Sequence, residues 1–342
     1  MQTAPEFIRQ VSSGQSLTVE QAATAMNGIM KGEWTPAQVG AYLVALRMKG
    51  ETVEEITGSA QSMRANAFSA QVQNRPVVDT AGSGGDGLHT INVSTLAALI
   101  AAGAGVPMAK HGNRAITGQC GSADILEGLG VTIDIPPADA VAGLDENNFT
   151  FMFAQHFHPS MRHAIGPRKE IGVPSIFNML GPLTNPLAAE AQLIGVAVPE
   201  NTRRFTEVLV GMGCQHSLVV CGADGMDEIS LTGPTKVVEQ KGGQVSEYTL
   251  TPEDFGMRTA SVDELRVEGR EKVIELGRQL LNNQAPEPHT HLVLMNAAAA
   301  IYLGGKAGSV IDALPVAKTA LESGAAKQVL DKVVAYTASK KA

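Results

Sequence analysis

Cysteine is scarce, with three in 342 residues, Cys120, Cys214 and Cys221. Their irregular spacing fits neither a disulfide framework nor a CxxC zinc site, and a reducing cytoplasm is the expected setting. Long apolar runs are missing too. The opening residues, MQTAPEFIRQVSSGQS, hold no signal-peptide core, and the longest weakly polar stretch, residues 96–109, falls short of the roughly 20 a membrane helix needs. A soluble, unexported protein without a membrane partner is expected. Positive charge is also in deficit, 26 Lys and Arg against 34 Asp and Glu, a net charge of -8. Such a chain has no broad basic field for nucleic acid, and no dense basic run supplies a local one. Lys340-Lys341 reads as a solvated tail, and there is no internal repeat.

What is present suffices for a large core and a second lobe, since 44% of the residues are hydrophobic. Residues 5–68 have a helical pattern, with helix starts at Thr18-Val19-Glu20-Gln21, Thr35-Pro36-Ala37-Gln38 and Thr52-Val53-Glu54-Glu55. In each, a hydroxyl can cap free backbone donors while an acid or amide three residues on reaches back. No strand-like segment interrupts them, so residues 1–70 are expected to form a small all-helical lobe. At 75–80 the period changes to a β-branched run, and further short strands are expected at 106–109, 149–154, 192–198 and 217–221. Helical stretches separate most of them. This is the alternation of an α/β lobe with a mainly parallel central sheet, built from residues 75–158 and 187–342. Residues 159–186, with five prolines, break the rhythm and are expected to rejoin the helical lobe as a hinge. Two alternating runs around Gly242-Gly243 predict a surface hairpin, and the chain is helical again from about residue 261.

Between the first strand and the first helix of the α/β region stands Asp79-Thr80-Ala81-Gly82-Ser83-Gly84-Gly85-Asp86-Gly87-Leu88-His89-Thr90-Ile91-Asn92-Val93-Ser94-Thr95. Glycines let a backbone approach a ligand and adopt positive φ, and a helix start offers unpaired amides to phosphate oxygens. A tight turn without ligand rarely needs four glycines in six positions. A Walker A loop is excluded because Gly87 is followed by Leu88 and His89. Gly82 to Gly87 does satisfy GxGxxG, but the dinucleotide reading needs an acid roughly 20 residues later. Residues 88–123 contain no Asp or Glu, and the second strand ends in Lys110, a cation suited to another phosphate.

That strand end, Lys110-His111-Gly112-Asn113-Arg114, leads into Thr117, Gly118, Gly121 and Ser122. It would flank the first loop where open α/β sheets bind ligands, so the two loops could grip a pyrophosphate from two sides. After the fifth strand comes Gly225-Met226-Asp227-Glu228-Ile229-Ser230. Beside a phosphate site, Asp227 and Glu228 are magnesium candidates, because magnesium takes a few carboxylates plus phosphate oxygens and water. The histidines of His156-Phe157-His158-Pro159-Ser160-Met161-Arg162-His163 lack an acid or cysteine at a recognised zinc spacing. Arg168 offers a guanidinium fork for a planar carboxylate, with structural ion pairing as the alternative.

In this order, and over nearly the whole chain, these segments resemble the anthranilate phosphoribosyltransferase family. The likeness continues through Ser175-Ile176-Phe177-Asn178-Met179-Leu180-Gly181-Pro182-Leu183-Thr184-Asn185-Pro186 and Asn296-Ala297-Ala298-Ala299-Ala300. The resemblance implies a homodimer that binds phosphoribosyl pyrophosphate and magnesium between its two lobes and transfers phosphoribose to anthranilate. It places Gly82, Gly85, Asp86, Thr90, Asn92, Ser94, Thr95, Lys110, Asn113 and Ser122 against the donor. Ser94, Asp227 and Glu228 would hold metal. Gly82, His111, Asn113 and Arg168 would face anthranilate, with Arg168 meeting its carboxylate, and no residue stands out as a general base. The chain departs from the family's usual Ser-Val-Ser-Ser-x-Ser-Gly, having Ala115-Ile116-Thr117-Gly118-Gln119-Cys120-Gly121, and has Gly172-Val173-Pro174-Ser175 where Gly-x-Arg-Thr is common. Two competing readings are a nucleoside phosphorylase of related fold, which would not need the two acids as magnesium ligands, and a non-catalytic nucleic-acid-binding relative.

Overall fold

The three threonine helix starts each close a capping box. The hydroxyls of Thr18, Thr35 and Thr52 accept from the amides of Gln21, Gln38 and Glu55, whose side chains return to the threonine N–H groups. In the computed structural model, which describes residues 2–115 and 120–340, they begin the helices Val19–Met30, Pro36–Lys49 and Val53–Ala65, preceded by Ala4–Ser12. Glu55 does more than cap. Its fully buried carboxylate also accepts from the Leu17 amide at 3.0 Å and the Lys49 ammonium at 2.8 Å, tying three segments together. The short helix Arg162–Ile171 packs against Pro36–Lys49. Ala164, Ile176, Phe177, Leu180 and Leu183 join the same hydrophobic core as Phe7, Met26, Tyr42 and Leu46.

The larger lobe is built on seven strands: β1 (Val78–Gly82), β2 (Met108–Gly112), β3 (Phe149–Phe153), β4 (Ala191–Gly195), β5 (His216–Gly222), β6 (Thr235–Lys241) and β7 (Gln244–Leu250). Their order is β3-β2-β1-β4-β5-β6-β7, parallel through β5 and antiparallel over the last two. The molecule is thus a small helical lobe plus an α/β lobe with a mainly parallel sheet. The hairpin lies where the two glycines predict it, with Gly242 and Gly243 at φ +56° and +85° in a two-residue turn. The sheet grows outward from β1 in both directions. β1 and β4 are therefore neighbours at a switch point, and a crevice opens beyond their carboxyl ends.

Helix Val93–Gly103 follows β1, and its sequence, VSTLAALIAAG, is buried almost all round. It packs against Glu287–Leu303, a second helix with nearly every residue from Leu292 onward buried, and the helices Leu314–Glu322 and Ala325–Ser339 close over them. Apolar residues on every face are what such a central position requires. No helix among the described residues is long and apolar enough to cross a membrane.

Candidate active site

The glycine loop leaves β1 at Gly82 and enters the helix at Val93. Gly84, Gly85 and Gly87 have φ of +70°, +89° and +69°, the left-handed region that glycine enters without a steric penalty. The Gly84 amide donates to Asp227 Oδ2 at 2.6 Å, and the Ser83 amide to the Gly195 carbonyl at 2.8 Å. Close approach also explains two glycines outside the left-handed region. A Cβ on Gly82 would strike the Asp227 carboxylate, and one on Gly195, the last residue of β4, would collide with the Asp227 carbonyl.

Lys110 lies near the end of β2 and is 2% exposed. Its ammonium donates to the Thr80 carbonyl at 2.6 Å and to Ser94 Oγ at 3.1 Å. Burial pulls its pKa down, while the charges of Asp79 and Glu228 favour the ammonium. Opposite it, the turn after β5 brings in Asp227 and Glu228, both buried. Burial first and neighbouring Asp86 second push the Asp227 carboxyl up to about 6. Burial and Asp227 raise Glu228 well above the ordinary carboxylate range, with Lys110 opposing. Glu228 also accepts from the Ser94 amide at 3.2 Å. The turn is bracketed by Asn296 of the central helix Glu287–Leu303, whose Oδ1 accepts from the Ile229 amide at 2.9 Å and whose Nδ2 donates to the Ile229 carbonyl at 3.0 Å.

Gly82, Asp86, Ser94, Lys110, Asp227 and Glu228 are therefore one cluster. Its hard oxygen donors fit magnesium: burial first and the neighbouring acids second raise the Asp227 and Glu228 carboxyls, and a divalent cation beside them would favour their charged forms. Among the described residues no group of three or more His, Cys, Asp or Glu forms a ready-made metal site.

Nearby, Asn92 Nδ2 donates to the Cys120 carbonyl at 2.9 Å, while Asn92 Oδ1 and Thr95 Oγ1 are buried without a hydrogen-bond partner. Thr90 Oγ1 donates to the adjacent Ile91 carbonyl at 3.3 Å. A Cβ added at Gly85 would meet no atom within 4 Å among the described residues beyond its chain neighbours. Ser122 Oγ donates to the Asn113 carbonyl at 3.3 Å, which fastens the second loop to the start of the next helix. Arg114 turns outward to Glu127 and Asp124. Thr117 and Gly118 lie outside the described residues, as does Lys341.

The His111 amide donates to Asp79 Oδ1 at 3.3 Å, and its ring centroid is 5.0 Å from that of His158. Burial, then the neighbouring ring, lowers His111 to about 3, and burial lowers His158 to about 4, so both rings are neutral at pH 7. Arg168 stands apart on Arg162–Ile171. Its guanidinium is 4.9 Å from the centre of the Phe177 ring and makes no side-chain hydrogen bond or ion pair among the described residues. His156 pairs with Asp134 at 3.1 Å and His163 lies beside Arg162, so the three histidines do not converge as zinc ligands would.

Two matches place this geometry among known proteins. Residues 74–327 fit the a/b domain of a glycosyl transferase family, and residues 5–67 fit the helical bundle domain of that family. An anthranilate phosphoribosyltransferase of Symbiobacterium thermophilum is 45% identical over 331 residues, 97% of each chain. The chain belongs to the anthranilate phosphoribosyltransferase family. The crystal structure of an anthranilate phosphoribosyltransferase from Thermus thermophilus superposes with a TM-score of 0.92 at 40% identity, covering 97% of this chain and 99% of that one. The anthranilate phosphoribosyltransferase of Saccharomyces cerevisiae, in complex with phosphoribosyl pyrophosphate and magnesium, shares the fold at a TM-score of 0.89 and 24% identity, over 98% of both chains.

Several residues packed around this cluster and its neighbouring turns escape a reading by motif. Asp79 and Asn185 form a buried pair at 2.8 Å, with Asp79 also accepting from the His111 amide, and an acid inside a buried strand was a usable signal. Gly195 and Arg64, whose Nε donates to the Leu183 carbonyl at 3.1 Å, carry no local signal, because what matters is which chain segment passes beside them.

Proposed function

We propose that this protein transfers the phosphoribosyl group of 5-phosphoribosyl 1-pyrophosphate to the amine of anthranilate, releasing pyrophosphate, as a step of tryptophan biosynthesis. The supporting observation is the convergence of the glycine loop, Lys110 and the Asp227-Glu228 turn beyond the carboxyl ends of β1, β2 and β5.

In this reading the pyrophosphate lies along the loop, against Gly82, Gly85, Asp86, Thr90, Asn92, Ser94 and Thr95. Asn92 Oδ1 and Thr95 Oγ1, buried and unpartnered, are suited to take up donor groups there. Lys110, Asn113 and Ser122 close on it from the β2 side. Ser94, Asp227 and Glu228 would hold magnesium, which when bound would neutralise charge on the departing pyrophosphate. Lys110 and the loop amides stabilise that same charge as the bond to ribose C1 breaks, and prearranged electrostatics of this kind is usually the largest catalytic term. Anthranilate would sit against Gly82, His111 and Asn113, with Arg168 meeting its carboxylate. Its amine is weakly basic and neutral at pH 7, so the site has to position the amine more than deprotonate it. We further read residues 159–186 as the hinge of a lobe that includes residues 1–70, supported by the packing of Arg162–Ile171 on Pro36–Lys49. A cytoplasmic homodimer completes the reading.

The test follows anthranilate fluorescence with phosphoribosyl pyrophosphate and enzyme, with magnesium and then with excess chelator. Magnesium-dependent loss of fluorescence, abolished in a folded Asp227→Ala/Glu228→Ala double variant, is the expected outcome. No turnover by folded wild-type enzyme at saturating substrates refutes the assignment, and magnesium-independent phosphorolysis of a nucleoside would replace it.

A further inference from the structure

The segment that carries Asp227 and Glu228 from the end of β5 to the start of β6 is folded around a third acid, Asp224. Asp224 Oδ1 accepts from the Met226 amide at 3.0 Å. Its Oδ2 accepts from Ser230 Oγ at 3.1 Å and from Thr232 Oγ1 at 2.5 Å, the length of a hydroxyl on a charged carboxylate. Ser230 Oγ accepts in turn from the Thr232 amide at 3.0 Å, and the Ser230 amide donates to Thr235 Oγ1, at the first residue of β6, at 2.9 Å. One carboxylate thus joins the residue just before Asp227 to the residues just after Ile229. Asp227, Glu228 and Ile229 form an arch whose two feet are tied by a single side chain.

The backbone makes room for the tie. The Gly222 amide donates to the Met226 carbonyl and the Gly225 amide to the Gly222 carbonyl, both at 2.9 Å, with Gly225 at φ +83°. A Cβ on Gly222 would strike Asp224 Oδ1 and come within 3.0 Å of the Ser230 Cβ, so the carboxylate can lie over the strand end only because that residue is glycine. Asn296 holds the crown of the arch through the Ile229 peptide groups, and Asp224 holds its base.

We propose that Asp224 is a positioning residue for the metal-binding acids. It closes the arch so that Asp227 Oδ2 stays on the Gly84 amide, at 2.6 Å, and Glu228 Oε1 on the Ser94 amide, at 3.2 Å, without itself touching metal or substrate. The proposal rests on the reading of this cluster as the magnesium site. Two observations favour it over an acid that merely stabilises the fold. The donors on Asp224 straddle the two acids, and Asp227 is packed against Gly82 and Gly195 with no room for a shifted arch.

Manganese is the probe, followed by water-proton relaxation, which is enhanced when the ion is held on a slowly tumbling protein, at equal inorganic pyrophosphate throughout. Asp224→Ala should raise the half-saturating manganese concentration by about tenfold or more, the usual effect of removing a group that orients a metal ligand. Its KM for anthranilate should stay within about twofold. Hydrogen exchange across residues 226–232, measured without metal, should quicken in the same variant. Asp224→Asn separates geometry from charge. Its amide oxygen can take the Met226 N–H while Nδ2 donates to the Ser230 and Thr232 hydroxyls, which turn to accept, so manganese affinity should stay within about threefold of wild type and the segment should stay protected. If Asp224→Ala does not fold, Ser230→Ala/Thr232→Val, which removes the hydroxyls on Oδ2, is judged by the same two readouts. A folded variant without the tie that binds manganese as wild type does, unchanged exchange across 226–232, or an Asp224→Asn enzyme as weak as Asp224→Ala overturns the proposal. Wild-type enzyme that holds no manganese refutes the metal reading itself, a result distinct from a variant that fails to differ from a wild type that binds.

Discussion

Replacing Asn296 by leucine should loosen the acidic turn without emptying the core. The Asn296 side chain is fully buried and makes three hydrogen bonds, two to the Ile229 peptide groups and one to the Leu292 carbonyl at 2.9 Å. Leu292 lies inside a helix and keeps its backbone partner, so two groups, the Ile229 N–H and C=O, are stranded away from water. At about 1–3 kcal/mol each they cost about 2–6 kcal/mol, and the apolar surface of leucine returns about 1.5–2. A net loss of about 0–4.5 kcal/mol, about 2 at the middle of both ranges, is expected, survivable against a total stability of about 5–15 kcal/mol. Ile229 follows Glu228 directly, so the freed turn should also weaken the metal site, raising the half-saturating magnesium concentration by about tenfold, or about 1.4 kcal/mol of binding. Urea unfolding at 25 °C gives the first quantity, and the magnesium dependence of turnover gives the second. An Asn296→Leu enzyme with wild-type stability and wild-type magnesium dependence would refute the idea that this bracket holds the acids.

Gly195→Ala places a Cβ against the Asp227 carbonyl, a backbone atom with little room to yield. It should cost about 1–3 kcal/mol by overpacking and, by displacing Asp227, lower kcat about tenfold or more; a melting curve and a rate measurement suffice to check both. The pH dependence of stability follows from His111 and His158, held at about 3 and about 4. Their unfolded values are about 6.5, so the unfolded chain binds protons that the native rings refuse, and stability is full above that pH and falls as the solution is acidified toward 4. The slope should be about 1.4 kcal/mol per pH unit per histidine. His158→Gln should remove about one proton from a urea-midpoint series, and an unchanged slope would contradict the assignment of a buried neutral ring. Glu55→Gln breaks the buried pair with Lys49, whose side chains are 0% and 7% exposed. It should cost about 3–5 kcal/mol by urea unfolding while leaving the turnover of folded enzyme at 20 °C near wild type.

Local chemistry is what the sequence displays well. Thr18, Thr35 and Thr52 announce their helices because a cap needs only four consecutive residues, and Gly242-Gly243 announces the hairpin in the same way. The glycine loop, Lys110 and the Asp227-Glu228 pair were legible as separate pieces, since each lies at a strand end with a composition that a plain turn would not need. Their adjacency was expected at neighbouring strand ends, but the contacts by which they meet were not legible. They depend on β1 lying between β2 and β4, which no local pattern encodes, and on backbone passing close to backbone, as at Gly195 and Asp227. Asn296 and Arg64 were invisible for a related reason. An amide in an alanine-rich helix, or an arginine at a helix end, looks solvated until the segment it brackets is known.

The strand order has a consequence for how the protein is made. Because the sheet starts in its middle, a nascent chain that has completed β1, β2 and β3 already owns the phosphate cradle and Lys110, yet lacks β4, which separates β1 from the acids. The acidic turn arrives only after β5, and the helix that pins it, Glu287–Leu303, later still. Chains interrupted before the acidic turn lack one wall of the cleft, and chains interrupted between that turn and the helix carry the acids without the Asn296 bracket, so the cleft has both walls with the bracket in place only once that helix is made.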